Sequence, residues 1–143
     1  MTEQQSELVK WLNRAFHAEK KLNALKRLKK RDKERANDIS AGNSGDIKGK
    51  SDTRQNNVEK VLITLASSEE KYDKFLEEYN NLRIEIEKAI ETLHDDELEA
   101  IFIDRYLNYM TMEQIAEEMN YSISTVKRRY NDGIEKLNLN EPE

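Results

Sequence analysis

A heptad pattern over residues 54–93 is the feature that most limits how this 143-residue chain can fold. Two mainly apolar series, each with a seven-residue interval and offset from one another by three positions, run through this segment. The first series is Val58, Leu65, Tyr72, Tyr79, Ile86 and Leu93, and the second is Val61, Ser68, Phe75, Leu82 and Ala89. This spacing places both series along one side of an α-helix and does not fit the two-residue period of a strand. It predicts a helix on the order of 60 Å long, and Leu62, Leu76 and Ile90 widen its apolar side enough to face more than one neighbour.

A second long helix is predicted over residues 4–38, because apolar residues there recur at steps of three and four. These are Leu8, Trp11, Leu12, Ala15, Ala18, Leu22 and Leu25. The intervening residues 39–53 hold three of the four glycines and are predicted to form a flexible connector. The simplest arrangement is a long antiparallel helical hairpin or coiled coil within residues 1–93. Pairing of the same helices between two chains, which gives a homodimer, is the alternative.

The segment Lys26–Arg35 is strongly basic and has few apolar residues. One interpretation is that its side chains contact DNA phosphates or an acidic partner. The other is a solvated helix end, where Lys and Arg are favoured by the helix dipole. The second interpretation is preferred from the sequence.

Residues 94–143 predict a helix-turn-helix domain. Thr111 is a suitable N-cap and Gln114 stands three residues later, the arrangement of a capping box. Asn120 marks the turn, since Asn tolerates positive φ better than most residues. Small Ala116 in the first helix and branched Val126 in the second are spaced for contact between two crossing helices. A supporting helix is predicted over about 95–107, with its inward side formed by Leu98, Ile101, Phe102 and Tyr106.

The second helix of this motif, residues 122–137, is predicted to recognise DNA. Its inward side is expected to be Ile123, Val126, Tyr130, Ile134 and Leu137. Its outward side presents donor-rich side chains suited to base edges and phosphates. The candidate DNA-binding residues are Ser122, Ser124, Thr125, Lys127, Arg128, Arg129, Asn131 and Thr111, with Thr125 and Arg129 assigned to phosphate. The competing interpretation is an ordinary helical hairpin with a solvated basic face.

Charge is unevenly distributed along a chain whose net charge is −5. Residues 92–143 hold 5 Lys and Arg against 12 Asp and Glu, and three of those five are consecutive at 127–129. Positive charge is thus focused on the predicted recognition helix, and the acidic surroundings should weaken non-specific DNA binding. The absence of cysteine fits a reducing cytoplasm. No apolar run is long enough to predict a membrane span.

Two short patterns suggest chemistry and are rejected. Gly45–Ser51 resembles a phosphate-binding loop but has three residues between its glycines instead of four, and it follows no predicted strand. Glu91 and His94 have the spacing of a di-iron ligand pair, yet no second such pair exists in the sequence. The sequence therefore predicts no enzyme, no cofactor and no metal site.

The stretch from Arg105 to Ala116 resembles the C-terminal promoter-recognition domain, region four, of bacterial sigma factors. The residues that fit the family pattern are Arg105, Tyr106, Thr111, Ile115, Ala116, Val126, Lys136 and Leu137. Asn108 and Tyr109 stand where the family usually has a glycine-containing turn, and Gln114 stands where Glu is common. The resemblance implies a sigma-factor-like helix-turn-helix bundle, and together with the helical patterns of residues 1–93 it predicts an all-α chain in which a long helical hairpin precedes that bundle.

The whole chain is also similar to ArpU-like and RinA-like phage regulators of late genes. That resemblance implies a sequence-specific, double-stranded-DNA-binding activator that works with bacterial RNA polymerase. Two other functions are weighed. One is a protein-interaction module that docks on the polymerase through the hairpin. The other is a DNA-packaging subunit of the small-terminase type, which also joins a helix-turn-helix to long helices.

Overall fold

The computed structural model of the protein describes the backbone of residues 2–40 and 51–139, and the side chains of residues 2–39 and 56–138. Within these ranges the chain forms helices and no strand, which confirms the predicted all-α fold. The helices are α1 (Glu3–Leu12), α2 (Arg14–Ser40), α3 (Ser51–Glu91), α4 (Asp96–Tyr106), α5 (Met112–Met119) and α6 (Ile123–Leu139). The helices α2 and α3 extend into both ends of the predicted connector. Residues 41–50, which include most of the phosphate-loop-like sequence, and the C-terminal residues 140–143 lie outside the described residues.

The helix predicted over residues 4–38 is formed as two segments, α1 and α2, with the single residue Asn13 between them. Asn13 keeps right-handed helical torsions, φ −77° and ψ −2°. The adjacent Arg14 has its Nε 2.9 Å from the carbonyl oxygen of Trp11, to which it donates a hydrogen bond, and its guanidinium lies 4.5 Å from the Trp11 ring centre. A side-chain donor therefore competes for a carbonyl that regular helical hydrogen bonding would use. Such competition is difficult to predict from periodicity alone.

The described chain divides into two compact units, one formed by Met1–Glu19 with Tyr79–Glu143 and the other by Lys20–Glu78. In the second unit, the α2 and α3 segments run antiparallel. Lys21 Nζ lies 4.6 Å from the ring centre of Phe75, and Lys29 Nζ lies 4.8 Å from that of Tyr72. As residue numbers rise in α2, those of the contacted residues in α3 fall. This is the hairpin arrangement predicted for one chain.

The first unit surrounds the predicted helix-turn-helix with helices from both ends of the chain. Helix α6 packs against α1, α4 and α5, and α4 also packs against α5. Contact between α1 and α6 is not predicted by the sequence, because nothing in either pattern specifies the other as partner. The predicted boundary after residue 93, between a helical hairpin (1–93) and a helix-turn-helix domain (94–143), stays a prediction.

The heptad positions of α3 are all buried or half-buried, as their spacing predicts. Burial is deepest near the C-terminal end, where Ile86 and Ile90 are fully shielded from solvent. Leu62 differs from its predicted role because 49% of its surface is exposed. Of the residues predicted to widen the apolar side of α3, Ile90 is therefore covered by the described part of the chain, whereas about half of Leu62 is not.

An aromatic cluster holds α6 on its supporting helix α4. The rings of Phe102 and Tyr130 are stacked, with centres 5.2 Å apart and planes inclined by 14°. The hydroxyl groups of Tyr106 and Tyr130 form a buried hydrogen bond. Gly133 lies one turn after Tyr130, and a Cβ atom at this position would lie 2.3 Å from Cε1 of Phe102. The close approach of α4 and α6 therefore requires glycine here.

We expect Gly133→Ala to lower the free energy of unfolding by about 1–3 kcal/mol, measured by urea denaturation, because the added methyl group overpacks this contact. Alanine is the better helix former by about 1 kcal/mol, so a purely local effect would have the opposite sign. Glu135→Ala, at an exposed position of the same helix, is the control and should change stability by less than about 0.5 kcal/mol. An increase in stability for Gly133→Ala would contradict the packing described here.

Candidate nucleic-acid interface

Helix α5 begins at the predicted capping box. The Thr111 hydroxyl accepts a hydrogen bond from the Gln114 amide at 3.2 Å, and the Gln114 side-chain oxygen accepts one from the Thr111 amide at 2.8 Å. Two backbone donors that the helix leaves unpaired are thereby satisfied. Thr111, a candidate DNA-binding residue, thus has its side-chain oxygen engaged in this cap.

The turn between the two helices is formed as predicted around Asn120. Its backbone is left-handed, with φ 60° and ψ 38°, and its amide donates to carbonyl oxygens near the end of α5. The next amide, of Tyr121, donates to the Ala116 carbonyl at 3.0 Å. Ala116 and Val126 are both buried, consistent with their predicted place at the helix crossing.

Ser122, rather than Ser124, caps α6. The Ser122 hydroxyl accepts from the Thr125 amide at 3.2 Å and lies 2.8 Å from the Thr125 hydroxyl. These contacts fix the first turn of the helix and occupy part of the hydrogen-bonding capacity of both side chains. Ser124 lies more loosely beside the cap, with its hydroxyl 3.3 Å from that of Ser122.

Four candidate base-contacting residues share the outer surface of α6: Ser124, Lys127, Arg128 and Asn131 are all exposed. They follow steps of three and four residues, so they lie along one strip of the helix. Neither Lys127 nor Arg128 forms an ion pair with another residue in the described part of the chain. Their donors are therefore directed to solvent, where a ligand can approach.

Arg129 is oriented differently from its two basic neighbours. Its Nη1 atom lies 2.6 Å from the Glu97 Oε1 atom at the start of α4, and its guanidinium lies 5.4 Å from the ring centre of Tyr121. The Tyr121 hydroxyl also donates to Glu97, at 3.2 Å. This three-residue contact links the supporting helix, the turn and α6, so the Arg129 side chain is used within the protein in this structure.

Ile123 was expected to face the interior, and this expectation is wrong, since 40% of its surface is exposed. The first residue of a helix lies at the edge of its buried side, and no neighbour covers Ile123 there. It instead adjoins Ser124 and Lys127 at the N-terminal end of the exposed strip. An exposed branched apolar side chain at this place suits contact with the methyl group of thymine. Periodicity assigned this residue to the core and could not show its exposure.

The turn before α5 replaces glycine with a tyrosine in a left-handed conformation. Tyr109 has φ 60°, which is uncommon for a residue with a bulky side chain. Its hydroxyl lies 2.6 Å from the Tyr79 hydroxyl and 3.2 Å from Nη1 of Arg83, both in α3. Arg83 also donates to the Leu107 carbonyl at 2.9 Å. These bonds hold the turn against α3, and local sequence patterns do not indicate them because the partners are 24 or more residues apart.

The other residues that match the sigma-factor pattern support the bundle. The Arg105 guanidinium donates to the Met110 carbonyl at 3.0 Å, and so fixes the loop before α5. The Lys136 ammonium donates to the Leu93 carbonyl at 3.5 Å, near the C-terminus of α3 where carbonyl groups lack helical partners. The motif thus specifies the scaffold, while the exposed strip on α6 is formed by residues outside it.

In the described residues, no three or more side chains of the metal-ligating types His, Asp and Glu converge. Glu91 and His94 are both exposed at the end of α3. No helix in the same residues combines the length and the apolar character needed to cross a bilayer.

Four features together define a helix-turn-helix DNA-binding domain: a capped helix, a left-handed turn, a second helix with an exposed basic strip, and a supporting helix. Residues 89–138 match the family model described as Sigma-70, region 4. The match spans 50 of the 143 residues and covers α4, α5, nearly all of α6 and the end of α3. The C-terminal part of the chain is therefore a sigma region 4-like helix-turn-helix, as the resemblance in its sequence predicts. Comparison with curated proteins and with solved structures finds no match.

We predict that Arg129 and Glu97 are coupled in stability, whereas the neighbouring Arg128 is not coupled to Glu97. In a double-mutant cycle of Glu97→Gln and Arg129→Gln, the coupling free energy should be about 0.5–1 kcal/mol, as for partly exposed ion pairs, and should decrease with added salt. Arg128→Gln serves as the matched control. Its coupling to Glu97→Gln should be close to zero, and equal coupling for both arginines would contradict the assigned geometry.

Stability should fall at alkaline pH because of the buried tyrosines. Burial raises the pKa of Tyr106, with a further contribution from adjacent Tyr130, and burial also raises that of Tyr130. Above about pH 10 these phenols ionise in the unfolded chain but stay neutral in the folded chain, so the unfolded state is favoured. Each such group should lower the unfolding free energy by up to about 1.4 kcal/mol per pH unit.

Urea denaturation between pH 9 and pH 11 measures this effect. Tyr106→Phe should reduce the slope of unfolding free energy against pH, because one phenol no longer titrates. An identical slope in the variant and the wild type would show that the Tyr106 phenol does not provide the effect.

Proposed function

We propose that the protein is a sequence-specific transcription regulator that inserts the N-terminal half of α6 into the major groove of double-stranded DNA. The observation that supports this most directly is the exposed strip on a helix that is firmly positioned by a sigma region 4-like bundle. A recognition helix needs a rigid base beneath it and free donors above it. The aromatic cluster provides the rigid base, and Lys127 and Arg128, which form no ion pair within the described residues, provide the donors.

Within this proposal, Arg128 and Asn131 contact base edges, because Arg matches guanine and Asn matches adenine through paired hydrogen bonds. Ser124 and Lys127 extend the same contact, and Ile123 adds an apolar contact to a thymine methyl group. Ser122, Thr125 and Thr111 lie at helix N-termini, where hydroxyl and amide groups suit phosphate oxygens. Arg129, first assigned to phosphate, acts mainly by orienting α6 through Glu97.

The finer proposal is that the chain is a phage- or prophage-encoded activator of late genes, which acts at promoters with RNA polymerase in the cytoplasm of a bacterial host. The resemblance to ArpU-like and RinA-like regulators supports this assignment. The second compact helical unit of the chain, Lys20–Glu78, is compatible with a second macromolecular contact. A sigma region 4-like domain is suited to promoter DNA, where polymerase also binds.

The proposal is tested by selecting bound sequences from a random duplex pool at near-physiological salt. We expect enrichment of one short motif by the wild type. Arg128→Ala should lose about 1–3 kcal/mol of affinity for that motif if it makes a paired contact to guanine, and specificity at one position should relax. Glu135→Ala, on the same helix, is the control and should keep the motif unchanged.

The alternatives give different results. Failure of the wild type to enrich any motif, with retained binding to RNA polymerase, would contradict the proposal and favour an interaction module. A large ring in a native mass measurement would favour a packaging subunit.

A further inference from the structure

The DNA-binding bundle has an excess of acidic over basic residues, and the basic residues of the recognition helix do not offset it. Residues 92–143 contain 12 acidic and 5 basic residues. Of the three consecutive basic residues, Arg129 is paired with Glu97, which leaves Lys127 and Arg128 to attract phosphate. Attraction to the phosphate backbone supplies nearly all non-specific affinity and a large share of specific affinity in most DNA-binding proteins. The proposed function therefore requires positive charge from another part of the chain.

The densest positive charge lies on α2. Residues 26–35 contain seven Lys and Arg residues against two acidic residues. Within them Lys29 lies over the Tyr72 ring, and the six others are exposed: Lys26, Arg27, Lys30, Arg31, Lys33 and Arg35. None of these six forms an ion pair with another residue in the ranges that the structure describes.

The helix end does not explain this cluster. Helix α2 continues to Ser40, and its last turn contains no basic residue. Favourable interaction of cations with the helix dipole is limited to the last turn, so it does not act on Arg27, Lys30 or Arg31. The interpretation preferred from the sequence was a solvated helix end, where the helix dipole favours Lys and Arg. Since the dipole does not act on these residues, it does not explain the basic cluster.

Part of the basic cluster lies on the side of α2 away from its buried residues. Leu22 and Ala36 are buried, and Arg31, nine residues after Leu22, points two and a half turns away and thus to the opposite side. Arg27, Lys30 and Arg31 lie within about 6 Å along the axis. They present several cations at the scale of the phosphate spacing in one DNA strand, about 3.4 Å per charge.

The lack of apolar residues on this surface favours a nucleic acid over a protein. Protein interfaces are depleted in Lys and enriched in aromatic residues, Met and Arg. Half of the six exposed cations are Lys, and the segment 26–35 contains no aromatic residue and no Met. Its one large apolar residue is Leu28, which is 42% exposed. Such a surface can neutralise phosphates but offers little to the apolar centre of a protein interface.

We propose that the exposed cations of α2 between Lys26 and Arg35 form a second, sequence-independent contact with duplex DNA, directed to phosphates. The inference rests on the proposed function, which brings the same chain to DNA through α6. In this arrangement α6 selects the sequence and α2 supplies affinity that the acidic bundle lacks. Linking two contacts in one chain raises the effective concentration of DNA at the second once the first is made.

The test compares the full chain with three variants on two duplexes, one holding the selected motif and one with the motif scrambled, over a range of salt concentrations. The α2 variant is Arg27→Gln, Lys30→Gln and Arg31→Gln. The matched control is Lys60→Gln, Lys71→Gln and Lys74→Gln, which removes the same charge from exposed positions of α3 in the same compact unit. Arg128→Ala is the third variant. Circular dichroism verifies that each variant keeps its helical content.

The α2 variant should lose at least about tenfold in affinity for both duplexes, and its slope of log affinity against log salt should decrease by about 2 to 3, close to 0.9 for each phosphate contact. The control should stay close to the wild type, and Arg128→Ala should lose affinity for the motif duplex alone. Equal affinity and equal salt dependence of the α2 variant and the control on both duplexes would overturn the inference. The surface would then bind an acidic protein or contact only solvent.

The two failures are distinguishable. If the wild type binds both duplexes equally, the sequence-specific function is wrong, yet a selective loss in the α2 variant still supports the phosphate contact. If Arg128→Ala loses the motif while the α2 variant matches its control, the function stands and the second contact is wrong. Absence of binding to either duplex by the wild type would overturn both.

Discussion

The contact between α4 and α6 is the constraint on which the DNA-binding bundle depends. Phe102 stacks on Tyr130, Tyr106 shares a hydrogen bond with it, and Gly133 leaves the space that this close packing needs. A recognition helix is useful only if its outer side chains keep a fixed orientation while they contact a groove. Flat aromatic surfaces restrict sliding and rotation, and the hydrogen bond between the Tyr106 and Tyr130 hydroxyls gives each of these buried oxygen atoms a partner. The turn at Asn120 and the Glu97–Arg129 ion pair then act on a helix already held in place.

Local sequence predicted the bundle well where the determining interactions are local. The capping box at Thr111, the left-handed turn at Asn120 and the buried Ala116 and Val126 all depend on residues within a few positions of one another. Heptad spacing likewise predicted α3, because the alignment of apolar residues along one side of a helix is a property of that helix alone. Ile123 shows the limit of this reasoning, since periodicity specifies a direction but not whether a neighbour is present to cover it.

Interactions between distant segments were not predictable from pattern. Nothing in the sequence near Tyr109 indicates that Arg83 and Tyr79 bind its hydroxyl, and nothing near α1 indicates that it packs on α6.

The orientation of Arg129 was likewise not predictable from the distribution of charge in the sequence. Three consecutive basic residues look equivalent in sequence, but successive positions on a helix are separated by about 100°, so the third faces Glu97 and the turn while its neighbours face solvent. The sequence pattern therefore did not distinguish the ion-paired Arg129 from exposed Lys127 and Arg128.

Tyr109 has a consequence for how this turn can vary among related sequences. Glycine at this position would ease the left-handed backbone, and many substitutions that relieve such strain are neutral or favourable elsewhere in proteins. Here the same exchange would remove the hydroxyl to which Arg83 and Tyr79 are bonded. The turn and its attachment to α3 therefore cannot be optimised separately. Exchange of this tyrosine for glycine removes the hydrogen bonds that attach the turn to α3, so a compensating change in α3 would have to accompany it.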